Sequence, residues 1–193
     1  MSDMLTIDTG AGILNDKSKV IEPLKLYDEN HPMLRQKIPE YTGPLPHPHI
    51  TDLAAELKMT MKLYGGVGLS ANQCGVFERM FVIGTDQFQM ACLNPRILEV
   101  EEEISKDNEG CLSFPGLFLK VERPASILAE WTTETGEVKQ ARLTGITARC
   151  FQHELDHLNG IKFVEHVKPV ALQLARQKQQ KVIKKHLRNS KKK

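Results

Sequence analysis

Gln152-His153-Glu154-Leu155-Asp156-His157-Leu158-Asn159-Gly160 is the stretch around which the chain is organised. Its centre is His-Glu-x-x-His. On an α-helix residues four apart share a face, so His153 and His157 can grip one metal ion. Glu154 is offset by about 100° from His153, which places its carboxylate beside the ion, where it can take a proton from an activated water. Thr144 is a good N-cap for this helix and Leu158-Asn159-Gly160 its C-terminal stop. Ile146, Cys150, His153 and His157 fall on one stripe, and Phe151 and Leu155 carry apolar character round the helix, as expected of a buried one. Burying two histidines and a glutamate is costly unless something satisfies them, and a metal ion does so directly.

Two imidazoles leave a divalent ion short of ligands, since catalytic sites usually take three from the protein. The best third candidate is Cys111, in Glu109-Gly110-Cys111-Leu112-Ser113. A thiolate with two imidazoles suits Zn²⁺ or Fe²⁺ and not Mg²⁺ or Ca²⁺. The competing reading is a buried cysteine acting as a small hydrophobe.

These two segments, with Gly66-Val67-Gly68-Leu69-Ser70-Ala71-Asn72-Gln73, resemble the three signature motifs of peptide deformylase, in the family's order. The resemblance covers most of the chain. It implies an α+β fold, with antiparallel sheets around a central metal-binding helix and a C-terminal helix. It also implies metal ligands Cys111, His153 and His157, with Glu154 as general base. Gln73 and the Leu112 N–H would be oxyanion donors, and Val67, Gly68 and Gly110 would hold the substrate peptide like an added strand. Glu109 would orient a ligating imidazole. Fe²⁺ would be the working metal, with Zn²⁺, Ni²⁺ or Co²⁺ able to occupy the site. Ser70 stands where many members have alanine, a small change. Phe118 stands where many have a peptide-binding arginine, so a charged donor is absent there.

The remaining elements read as follows. Residues 1–22 form an irregular or extended lead-in, and Pro44, Pro46 and Pro48 enforce extended chain. His47 and His49 in that run read as solvated rather than as ligands. A helix covers Thr51 to Tyr64, capped by Thr51 or Asp52 and stopped by Gly65-Gly66. Strands are expected at Met80–Ile83, Ala91–Leu93, Ile97–Glu103, Leu119–Val121, Ile127–Trp131 and Val138–Leu143. Asn94-Pro95 is a break and Thr135-Gly136 a hairpin turn. Gly66 to Gln73 is too glycine-rich for a strand interior, and by itself reads as a tight turn. Pro169 opens a last helix whose early part docks and whose Lys-rich end is solvated or disordered.

A chain of 193 residues, 40% hydrophobic and 26% charged, is ordinary for a globular protein. No apolar run is long enough to span a membrane. Met1 to Asp16 has three Asp and no Lys or Arg, unlike a targeting segment. The four cysteines lack C-x-x-C spacing, which suits a reduced, cytoplasmic setting. The net charge of +2 hides an asymmetry. Residues 168–193 hold 10 Lys or Arg and no acid, which leaves 16 basic against 24 acidic residues in 1–167. This divides the chain into a catalytic domain, 1–167, and a basic C-terminal helix or tail, 168–193. The tail is a candidate contact to ribosomal RNA. A monomer is expected.

The expected function is hydrolysis of the N-formyl group of formyl-methionyl nascent peptides, with release of formate. One alternative is a zinc metalloendopeptidase, whose third ligand would normally be His or Glu. Another is a non-catalytic, metal-stabilised peptide-binding module, which would need neither Glu154 nor Gln73.

Overall fold

The computed structural model describes residues 21–85 and 88–190, the side chains of 185–190 excepted. The lead-in expected over 1–22 therefore lies almost wholly outside the described residues. Helix α1 (Pro48–Leu63) is followed by strands β1 (Gly68–Ser70), β2 (Met80–Gly84) and β3 (Gln89–Val100). Strands β4 (Ile104–Gly110), β5 (Phe118–Pro124), β6 (Ser126–Thr132) and β7 (Val138–Thr144) precede helices α2 (Gly145–Leu158) and α3 (Pro169–Ser190). A five-stranded sheet has the order β1-β2-β3-β6-β7, and β4 and β5 form a separate two-stranded sheet; all pairings are antiparallel.

The larger sheet is covered on both faces, which explains the unbroken apolar run of β2. Met80 and Val82 point into a cluster with Leu53, Leu57 and Met61 of α1, while Phe81 and Ile83 point into one with Phe151 and Leu158 of α2. The Phe81 and Phe151 rings meet edge to face at 5.0 Å. Truncating either to alanine would cost roughly 3–5 kcal/mol. A third cluster, with Phe114, Leu119, Val121 and Phe163, lies under the small sheet, and Leu172 and Ala175 of α3 dock on it.

Several expectations need correction. Helix α1 begins at Pro48, not Thr51, because proline fits the first helical turn, where its missing N–H has no intrahelical partner. The cap is His47, whose Nδ1 accepts the His49 N–H at 3.2 Å. Asn94-Pro95 does not break the strand but bulges within β3, with Asn94 at φ 49° and register shifts on either side of Ile97. The Asn94 side chain holds that geometry by bonding both the N–H and the C=O of Tyr41. Strand β4 is absent from the expected set, and its mostly exposed, charged sequence gives no alternation to find. Gly68–Ser70 is a short edge strand rather than only a turn. Helix α3 runs through Ser190, and its Lys-rich end is solvated rather than disordered, with residues 181–184 all exposed.

The C-terminal end of α2 is fixed from two sides. Arg79 donates to the Leu158 carbonyl at 3.2 Å and to Asn159 Oδ1 at 3.0 Å, a cation placed where the helix dipole favours it. Asn72, just after β1, donates to the His157 carbonyl at 2.6 Å.

Candidate active site

Helix α2 carries His153 and His157 one turn apart, with ring centroids at 5.0 Å. Strand β4 delivers Cys111 directly after its last residue, and the Phe114 N–H closes a turn onto the Cys111 carbonyl at 2.9 Å. Cys111 Sγ lies 3.2 Å from His157 Nε2, and one donor atom from each of Cys111, His153 and His157 falls within 4.8 Å of the others. One soft sulfur and two imidazole nitrogens converging at this spacing fit a tetrahedral Zn²⁺- or Fe²⁺-type ion.

His153 Nδ1 donates to Glu109 Oε2 at 3.1 Å, which leaves its Nε2 lone pair for the centre. Glu109 also accepts from Arg123 at 2.6 and 3.0 Å and from Arg149 at 2.7 Å. Burial alone would raise its pKa, but the bonds from His153 and Arg123 outweigh that and hold it at about 2. Arg123 reaches on to Asp156 at 2.8 Å, and Asp156 accepts from His166 at 2.7 Å. A buried cluster of this kind is strongly destabilising when one partner is removed, because the others are left uncompensated.

Glu154 is 4% exposed, and its Oε2 has no hydrogen-bond partner. Burial pushes its pKa up to about 7, although His153 opposes the rise. A carboxylate poised near neutrality can both take up and give back a proton. The absence of a Cβ at Gly68 makes room for it, since a methyl there would meet Glu154 Oε1.

The Gln73 amide is oriented by its own turn. Its Oε1 accepts the Ser70 N–H at 3.0 Å and the Ser70 hydroxyl at 2.9 Å. That aims Nε2 at Ser113 Oγ, 3.1 Å away, and at Cys111 Sγ, 3.4 Å away. Ser70 is thus more than a small replacement for alanine: its hydroxyl adds a second hold on the amide.

These groups open into one cleft of about 480 Å³, lined by Val67, Gly68, Gln73, Gly110, Cys111, Leu112, His153 and Glu154 among others. Every residue expected at the site from sequence is therefore brought together, His157 through its contact with Cys111. Ile146 departs from the expected buried stripe: it is exposed in the first turn of α2 and forms part of the cleft mouth. Arg123, Arg149, Ser113 and Asn72 were not found from sequence. They lie far from the motif residues they touch or inside motifs where they carry no chemistry of their own, so no spacing marks them.

Residues 23–173 match the family model described as Polypeptide deformylase. The peptide deformylase of Thermotoga maritima is 42% identical over 119 residues, which span 62% of this chain and 73% of that protein. That of Agrobacterium fabrum is 41% identical over 120 residues, 60% of this chain and 71% of the relative. Among solved structures, the peptide deformylase of Synechococcus elongatus in complex with actinonin superposes with a TM-score of 0.77 at 32% identity, covering 81% of this chain and 86% of that one. The Thermotoga maritima structure gives 0.72 at 35% identity, covering 76% and 99%.

Proposed function

The chain belongs to the polypeptide deformylase family, and from that premise we propose how its own residues carry out the reaction. It is a metal-dependent hydrolase that removes the formyl group from the formyl-methionine of peptides and releases formate. Cys111, His153 and His157 would hold the ion, with Fe²⁺ as the working metal and Zn²⁺, Ni²⁺ or Co²⁺ able to replace it. When bound, the ion supplies a Lewis acid that lowers the pKa of water towards neutrality. Glu154 takes the proton released as water adds to the formyl carbon, then delivers it to the peptide nitrogen as the C–N bond breaks. Formate and a free amino terminus leave. Gln73 Nε2 and the Leu112 N–H donate to the formyl oxygen as it gains charge, and one such donor contributes about 3–4 kcal/mol. Val67, Gly68 and Gly110 hold the peptide backbone along the open edges of β1 and β4.

The observation that carries this reading is the partnerless Glu154 Oε2, buried beside the Cys111–His153–His157 group. A binding module would need no such carboxylate, and an endopeptidase would not draw its third ligand from a distant cysteine. Formate and free amine assayed from formyl-Met-Ala-Ser and its acetylated analogue test it. Equimolar release from the formyl peptide alone is expected; cleavage at an internal bond would overturn it.

The protein works as a cytoplasmic monomer in which residues 1–167 carry every catalytic group and the docked start of α3, through Gln179, braces the cleft loop. Residues 168–193 draw it electrostatically to ribosomal RNA, where nascent chains emerge. No helix among the described residues is long and apolar enough to cross a membrane.

A further inference from the structure

We propose that Phe118 selects substrates by the side chains that follow the formyl-methionine, favouring aromatic and large apolar residues over charged ones; this rests on the deformylase reading above. Along β5 the residues alternate between outside and core: Leu119, Val121 and Arg123 are buried, whereas Lys120 and Glu122 face water. Phe118 lies on the water-facing side yet is a large aromatic, 66% exposed. It pairs across the small sheet with Gly110, and its ring lies over that glycine so closely that a Cβ there would meet Phe118 Cε1 at 2.6 Å. The ring is thus laid over the backbone that leads directly into Cys111.

Phe118 is not alone at the mouth of the cleft. Tyr64, Val67 and Ile146 come from three other parts of the chain, are 49%, 46% and 66% exposed, and line the same opening. Apolar side chains converging from separate elements on one opening mark a binding surface rather than scattered surface residues. The charged residues lining the cleft, Glu109, Arg149 and Glu154, are all buried, and the first two are paired with each other. No charged side chain among the cleft-lining residues is exposed, so a peptide leaving the site first meets an aromatic and aliphatic wall; Lys120, on the same face of β5, lies outside that lining.

The test uses metal-loaded protein and two peptide series, formyl-Met-Xaa-Ala and formyl-Met-Ala-Xaa, with Xaa as Phe, Leu, Glu or Lys. At one or both positions Phe and Leu should exceed Glu and Lys by about fivefold to tenfold in kcat/KM, mostly through KM, the size expected of one aromatic contact. In Phe118→Ala the ratio should fall to within about twofold. Phe118→Arg should reverse the order of Phe and Glu, an outcome that partial unfolding cannot produce. Because each ratio is taken within one preparation, the active fraction cancels. Formate release with a flat ratio in the wild type, or with a ratio unchanged in Phe118→Ala, overturns the role of Phe118 alone. No formate from any peptide overturns the deformylase reading and this inference with it.

Discussion

A methyl group on Gly68 would collide with Glu154 Oε1, so the first residue of β1 and the carboxylate of α2 share a single space. Gly68→Ala should leave the metal in place but drive the carboxylate from its position. Displacements of about 1 Å in a catalytic group can cost about 100-fold in rate. A loss of that order in kcat, with unchanged metal content by elemental analysis, is the expected result.

Glu154→Gln preserves shape and removes the proton carrier. Metal content should be unchanged, and formate release should fall by about 10²–10⁴-fold. Activity within about tenfold of wild type would refute the general-base role.

Cys111→Ser replaces a thiolate by a poorer, neutral ligand. Metal affinity and most activity should be lost, as read by competition with a chromogenic chelator and by formate release. With iron bound, the wild type should lose activity in air, and replacement by Ni²⁺ should protect it.

The other three cysteines should stay silent to thiol reagents. Burial, with Glu154 adding to it, pushes both Cys74 and Cys150 up to about 12, and burial pushes Cys92 well above its ordinary value. Near pH 8 all three remain protonated, and the thiolate is the reactive form. The metal-loaded protein should therefore react slowly with a disulfide reagent. A chelator should release one rapidly reacting equivalent, absent in Cys111→Ser.

The basic end should be separable from the chemistry if the cut is placed correctly. Gln179 donates to the Pro115 carbonyl at 2.8 Å, and the Arg176 guanidinium lies 5.7 Å over the Phe114 ring, so both hold the loop that lines the cleft. Truncation after Gln180 removes seven basic residues and keeps both holds. It should leave hydrolysis of formyl-Met-Ala-Ser within about twofold while weakening a steeply salt-dependent co-sedimentation with ribosomes. Truncation after Arg176 loses Gln179 as well and should raise KM.

The sequence was most informative where chemistry and local periodicity coincide. His153, Glu154 and His157 are set by one helical turn, and β2 shows itself by four consecutive apolar residues covered on two faces. Cys111 carried no local signal; only its motif singled it out. The bulge at Pro95 was illegible because the bonds that sustain it come from Tyr41, more than fifty positions away. Arg149 reads as an ordinary helix residue until folding places it 2.7 Å from Glu109.

Cys111 directly follows β4 of the small sheet and His157 belongs to the helix under the large one, 46 residues further along the chain. An ion held by both is a cross-link as well as a reagent. In the chain-entropy picture, tying a loop of that length removes about 4 kcal/mol of freedom from the unfolded chain. An ion bound there for its chemistry would also fasten the small sheet's end to the helix under the large sheet, so removing it should lower the protein's stability as well as its activity.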